Sequence, residues 1–160
     1  MGEIERAAIE DLPAIKDVLR ETWHDTYASL FPGSAMEAII SKWHAPEVLN
    51  DQIRNADLYF GIARDEGNVV GVITARQQGE AIIVDRLYVR PLYQRRGIGR
   101  QLLEASYGAF RTAQKVRLTV KAQNRKGMAF YSKHGFRETA RTSQEVAGAS
   151  LENVVMEKQL

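Results

Sequence analysis

The residues with the most evident chemistry are Gln94-Arg95-Arg96-Gly97-Ile98-Gly99-Arg100, set between a strand-like run from Val84 to Arg90 and a helical pattern from Leu102 to Phe110. Glycines at 97 and 99 let the backbone turn sharply and approach a ligand without Cβ clashes. The free N–H groups of a first helical turn, with the helix dipole behind them, attract an anion. Arg95, Arg96 and Arg100 add charge-assisted donors at the same spot, so the chemistry implied is phosphate binding. A lone Gly-x-Gly is also an ordinary strand-to-helix turn. This one lacks the third glycine of the dinucleotide fingerprint, and no Gly-Lys-Ser/Thr of a P-loop occurs in the chain, which implies a different anionic cofactor. The stretch Arg86 to Arg100 holds arginines at 86, 90, 95, 96 and 100 and no acid, a local charge that suits a small polyphosphate.

Composition narrows the remaining chemistry. The chain of 160 residues, 44% hydrophobic, has the size and apolar content of a single domain spanning 1–160. It contains no cysteine, which excludes disulfides, thiolate nucleophiles and sulfur-ligated metals together. His24, His44 and His134 are scattered without metal-ligand spacing, and no metal site is expected. A net charge of +2 does not demand nucleic acid, no apolar run approaches the ~20 residues of a membrane span, and the amino terminus lacks a signal-peptide pattern. The expectation is a soluble cytoplasmic protein, monomer or homodimer, with no nucleic-acid or membrane partner.

The elements that must position the glycine loop follow from hydrophobic period and turn signals. Ile4 to Ile9 reads as a strand, and Asp11-Leu12-Pro13 opens a helix with an acidic cap candidate, an early proline and a buried stripe of Leu12, Ile15, Val18 and Leu19. That helix continues through Trp23 to Tyr27 and ends at Phe31-Pro32-Gly33. Helical patterns follow over Ala35 to Trp43 and from Pro46. Leu58 to Arg64 and Val69 to Arg76 form a hairpin about Asp65-Glu66-Gly67-Asn68, and Ala81 to Arg90 is a third consecutive strand. After the loop and its helix come a strand from Val116 to Ala122 and a helix from Asn124 to His134, with Gly135 placed to cap it. Strands from Phe136 to Arg141 and Val154 to Lys158 flank a small-residue turn around Gly148. The order is that of an α+β fold, with a mixed, mostly antiparallel central sheet and helices on both faces.

These residues resemble the GNAT superfamily of acyl-CoA-dependent N-acetyltransferases. Leu87-Tyr88-Val89-Arg90-Pro91 followed by Gln94-Arg95-Arg96-Gly97-Ile98-Gly99 is similar to the family's acetyl-CoA motif. Asn124 precedes Tyr131 by seven, and Tyr131-Ser132-Lys133-His134-Gly135-Phe136 resembles the Tyr-x-x-x-Gly-Phe ending of its later motif. The resemblance implies acetyl-CoA as cosubstrate. The backbone of Leu87, Tyr88 and Val89 would pair with the pantetheine arm, and Gln94, Arg95, Arg96, Gly97, Ile98, Gly99 and Arg100 would wrap the pyrophosphate. Asn124 is either the cap of its helix, a contact to the pantetheine amide, or both.

Tyr131 matches the family tyrosine that protonates the departing thiolate, and a phenol, neutral at pH 7, suits donation to a sulfur of pKa ~8.5. Without the resemblance, an aromatic beside Phe130 reads as packing. The strand glutamate that serves many members as base falls at Ile83, which cannot accept a proton. Asp85, two residues along the same face, is the nearest substitute and equally a partner for a neighbouring arginine. The expected reaction is direct attack of a free amine on the thioester in a ternary complex, consistent with the lack of a cysteine nucleophile. Trp23 and Tyr27, with Phe31 and Trp43, either line an amine pocket by cation–π contact or pack the core. The Trp23-x-x-x-Tyr27 spacing resembles polyamine acetyltransferases of the PaiA type, which favours a small amine over a protein acceptor. A module that binds acyl-CoA without turnover is the competing expectation.

Overall fold

A computed structural model describes residues 3–146 and 148–160. Its strands are β1 (Glu3–Arg6), β2 (Leu58–Asp65), β3 (Asn68–Gln78), β4 (Ala81–Val89), β5 (Lys115–Lys121), β6 (Arg137–Val146) and β7 (Ala149–Gln159). Its helices are α1 (Leu12–Tyr27), α2 (Gly33–Trp43), α3 (Pro46–Arg54), α4 (Ile98–Ala109) and α5 (Arg125–Lys133). One seven-stranded sheet has the order β1-β2-β3-β4-β5-β7-β6, antiparallel throughout except where β4 and β5 run parallel. The α+β expectation of a mixed, mostly antiparallel sheet therefore holds.

Alternating side chains give the sheet two buried faces. Phe60, Ile62 and Val72 pack against Ile15, Val18 and Leu19 of α1 and Leu49 of α3. Ile73, Ala75, Ile82 and Val84 pack against Ile98, Leu102 and Leu103 of α4. A third cluster joins Trp23 and Tyr27 at the end of α1 to Phe31, to Met36, Ile39 and Ile40 of α2, and to Leu151 of β7. Among the described residues no helix is long and apolar enough to cross a membrane.

Several local signals act as expected. Glu66 and Gly67 both have positive φ (51° and 83°), the backbone a two-residue hairpin demands, and they join β2 to β3. Gly135 (φ 92°) ends α5, with Phe136 N–H returning to Tyr131 O at 3.0 Å. Three boundaries differ. The first strand stops at Arg6, because the chain turns into a short 3-10 segment at Ile9–Asp11, where Asp11 accepts the Ala8 N–H at 2.8 Å and pairs with Arg64. Asp11 thus caps that turn, and its side chain makes no cap bond to α1. The last two strands are far longer than Phe136–Arg141 and Val154–Lys158, because β6 is an exposed polar edge that needs no apolar alternation while its ladder to β7 runs from Arg137↔Glu157 to Val146↔Ala149.

Candidate active site

The site begins with a gap in the sheet. Strands β4 and β5 pair from Ala81↔Lys115 to Val84↔Leu118 and no further, although β4 continues to Val89 and β5 to Lys121. The cause lies on the other side of β4, where the register with β3 passes from Ala75↔Val84 to Thr74↔Arg86 and leaves Asp85 as an extra residue. Such a bulge bends its strand and increases the local twist. It also resets alternation. Val84 and Leu87 both face the α4 side, while Asp85 and Arg86 are consecutive residues turned toward the opposite face.

The gap encloses about 460 Å³ between the two strands. Arg90 gives its N–H to Val70 O at 2.8 Å, so by alternation Leu87 and Val89 present their backbone groups to the gap, while the Tyr88 backbone, expected to do the same, is turned to Val72 of β3. Helices supply the walls: Trp23 and Tyr27 from α1, Trp43 from α2, and His44 just after it. Trp23 and Tyr27 are both a core and a wall, nearly inaccessible yet lining the gap, with ring centroids 4.5 Å apart. Trp23 Nε1 donates to the Tyr88 hydroxyl at 3.2 Å, so the Tyr88 side chain belongs to this aromatic wall. Phe31, grouped with them in the sequence, packs behind Tyr27 at 6.5 Å.

Tyr131 enters the gap from α5. Its ring sits edge-on to Phe130 (5.3 Å) and Phe136 (5.4 Å), which fixes its orientation. Its hydroxyl has no hydrogen-bond partner among the described residues. Burial, with the nearby Tyr88 and Tyr107 phenols, pushes the Tyr131 phenol above its ordinary pKa, so it stays protonated. Asn124 is the cap of α5, its Oδ1 accepting the Gly127 N–H at 2.9 Å, and it also lines the gap with Tyr27. Of its two expected roles the cap is therefore present, and the side chain stands at the gap as well.

At the far end of β4 stands the glycine loop. Gly97 has φ 82° and is the N-cap of α4, with no side-chain cap bond; Gln101 is the first residue to reach back, to Gly97 O at 3.0 Å. The N–H groups of Ile98, Gly99 and Arg100 therefore precede the helical ladder. Arg95 is also left-handed (φ 64°), and alternation of hands along 95–97 makes a concave nest of N–H groups. Gln94 Nε2 donates to Val89 O at 3.0 Å and ties the loop to the strand end. Arg96 stacks over Tyr93 at 5.2 Å, and Arg100 pairs with Glu104 at 3.0 Å.

Two sequence expectations change here, and for Asp85 one of two alternatives is realised. The five-arginine run is divided: Arg90 pairs with Glu21 and bonds Val69 O, and Arg86 turns to Gln52 and Trp43 O, so Arg95, Arg96 and Arg100 are the loop's own cations. Gly99 is needed for packing. A Cβ there would lie 3.0 Å from Phe130 Cζ, whereas one at Gly97 meets nothing within 4 Å. Gly99→Val is expected to cost about 1–3 kcal/mol by overpacking, read from urea unfolding. Asp85 is half-exposed on the gap's rim and forms the ion pair, its Oδ2 held by Arg76 Nε at 3.0 Å.

His44 was not singled out from the sequence. It is 3% exposed, its Nδ1 is unpartnered, and burial with the Arg86 and Lys16 charges drives its pKa down to about 3. The unfolded chain then binds the extra proton from about pH 6.5 down to about 3, so stability is complete above that window and falls through it, by up to ~1.4 kcal/mol per pH unit. His44→Gln is expected to flatten this acid limb in urea unfolding compared at pH 7 and pH 5. An equal slope in both proteins would place the lability elsewhere.

The comparisons with known proteins match this geometry. Residues 27–160 fit the family model described as an acetyltransferase (GNAT) domain. The chain is 32% identical over 141 residues to spermidine N(1)-acetyltransferase of Thermoplasma acidophilum, covering 84% of this chain and 88% of that protein. The chain belongs to the GNAT acetyltransferase family. A crystal structure of PaiA N-acetyltransferase from Thermoplasma acidophilum in complex with coenzyme A superposes with a TM-score of 0.86 at 28% identity, over 100% of this chain and 99% of that one. The ribosomal-protein-S18-alanine N-acetyltransferase of Escherichia coli, at 20% identity, 99% and 94% coverage and a TM-score of 0.75, shares the fold. The protein is thus an acyl-CoA-dependent GNAT N-acetyltransferase with acetyl-CoA as its cosubstrate. The free N–H groups before the α4 ladder, the open space at Gly97 and the unpaired β4 edge fit that molecule.

Proposed function

We propose that the protein transfers an acetyl group to a small primary amine held in the β4–β5 gap, with Tyr131 as proton donor. The observation that carries this reading is Tyr131, its ring held in orientation at the gap and its hydroxyl without a hydrogen-bond partner among the described residues. Leu87 and Val89 hold the pantetheine arm, Tyr88 walls the gap beside it, the 94–100 nest holds the pyrophosphate, and Asn124 orients the arm from the other side. Acetyl-CoA supplies the activated acetyl thioester. The acceptor nitrogen's lone pair forms the new N–C bond as the C–S bond breaks. Tyr131 hands its phenolic proton to the departing sulfur and recovers one from solvent, to which the amine gives up its own. Backbone N–H groups of Leu87 and Val89 polarise the carbonyl.

A gap of about 460 Å³ walled by Trp23, Tyr27 and Trp43 supports a small aliphatic amine rather than a folded protein acceptor. The spermidine acetylation named for the Thermoplasma relative supports the same class. Thiol release from acetyl-CoA across spermidine, spermine, aminoglycosides, amino acids and peptides tests it. Release with no member, despite CoA binding, would favour a non-catalytic module.

The proton's exit runs over the rim, where Asp85 assists through water while paired with Arg76. Asp85→Asn is therefore expected to lower kcat/KM by less than about tenfold, the deficit shrinking as rising pH frees more amine. A loss of about 10² or more would make Asp85 the principal base.

A further inference from the structure

Two cations line the gap from β4 and β5, and neither is ion-paired among the described residues. Arg86 stands just past the β4 bulge and Lys121 at the end of β5, both partly buried and both lining the gap. Trp43 lies between them: Arg86 Nη2 donates to Trp43 O at 2.9 Å, and Lys121 Nζ is 5.8 Å from the centre of the indole. Their other partners are neutral. Arg86 Nη1 donates to Gln52 Oε1 at 2.6 Å, and Lys121 Nζ donates to Asn153 Oδ1 at 2.6 Å and Gln144 Oε1 at 3.1 Å. Among the described residues neither forms an ion pair. Among the described residues lining the gap the one carboxylate, Asp85, is close enough to Arg86 to be felt but is bonded to Arg76.

Partly desolvated cations with amide and carbonyl partners alone retain an unmet demand for an anion. Phosphates of acetyl-CoA do not meet it, because the nest that follows the end of β4 lies outside the lining of the gap and has its own arginines. The geometry points to an acceptor that carries a carboxylate beside its primary amine, seated between Arg86 and Lys121 with its aliphatic stem on Trp43. This inference rests on the transfer reading above and narrows it: the acceptor is amino-acid-like, and a polycation such as spermidine is opposed by two like charges. The same two charges lower the pKa of the bound ammonium and favour the free nucleophile in a site whose strand base position is Ile83.

Matched acceptors that differ by one carboxylate test the inference: L-lysine against cadaverine and L-ornithine against putrescine, with spermidine alongside, followed by thiol release from acetyl-CoA. At least a tenfold higher kcat/KM for the carboxylated member of each pair is expected. In Lys121→Gln that ratio falls toward one, through a raised KM for the amino acid, and in Lys121→Glu the order of lysine and spermidine reverses. Arg86→Gln should act in the same direction. Because Arg86 also closes the end of α2, the Lys121 variants carry the test if Arg86→Gln fails to fold. A preference for spermidine or the plain diamines in the unsubstituted enzyme, or a ratio unmoved by Lys121→Glu, would overturn the inference and leave amine acetylation intact. Absence of thiol release with every acceptor would overturn both.

Discussion

Tyr131→Phe is expected to lower kcat by about 10²-fold, the range of a single general acid, with the affinity for acetyl-CoA nearly unchanged. The substitution keeps the ring that packs edge-on to Phe130 and Phe136, and it removes a hydroxyl that has no partner among the described residues, so no buried group is orphaned. Thermal stability should therefore barely move. The pH profile supplies a second check. Burial raises this phenol above its usual pKa of ~10, so the proton remains available as pH rises, and kcat should show no falling limb from this group below about pH 9.5. Wild-type kcat in the Phe variant, measured where chemistry limits the rate, would remove Tyr131 as the proton source and leave solvent or the substrate ammonium in its place.

Gly97→Glu is expected to abolish stabilisation by CoA while leaving a folded protein. The backbone at Gly97 is left-handed, so any side chain there costs about 1–2 kcal/mol of strain, but a Cβ meets nothing within 4 Å and causes no clash. The effect is thus directed at the ligand, since a carboxylate would occupy the concavity meant for the pyrophosphate. At 100 times Kd, CoA stabilises the unsubstituted protein by about 2.7 kcal/mol, a rise of several degrees in Tm. NAD and ATP at the same concentration should give no comparable rise. Gly97→Ala, which adds the strain without the charge, separates the two contributions and should retain most of the CoA shift. An undiminished shift in Gly97→Glu would show that the pyrophosphate lies elsewhere.

What could be read from the sequence is what short-range chemistry encodes. The 65–68 turn, the strand-loop-helix about Gly97, the Asn124 cap and the Gly135 stop each follow from a few adjacent residues, and each stands where its local signal puts it. The place of Tyr131 at the gap was legible only through the family resemblance, whose later motif includes those same caps; by its neighbours alone it read as packing. The polar edge β6 was only half legible, since a strand exposed on both faces carries no period and its length is set by the ladder to β7. Tertiary structure alone decided the gap. One extra residue at Asp85 resets the register of β4, and a change of register moves every following side chain to the other face. Strict alternation would send Arg86 to the α4 side; the bulge turns it toward Gln52 and Trp43 instead, opposite Lys121 of a strand thirty-odd residues later. The adjacent polar pair Asp85-Arg86 within an apolar run was the available signal of that bulge. Which cations, aromatics and histidine share one cavity depended on where β4 and β5 stop pairing, a contact between distant segments that no local pattern records.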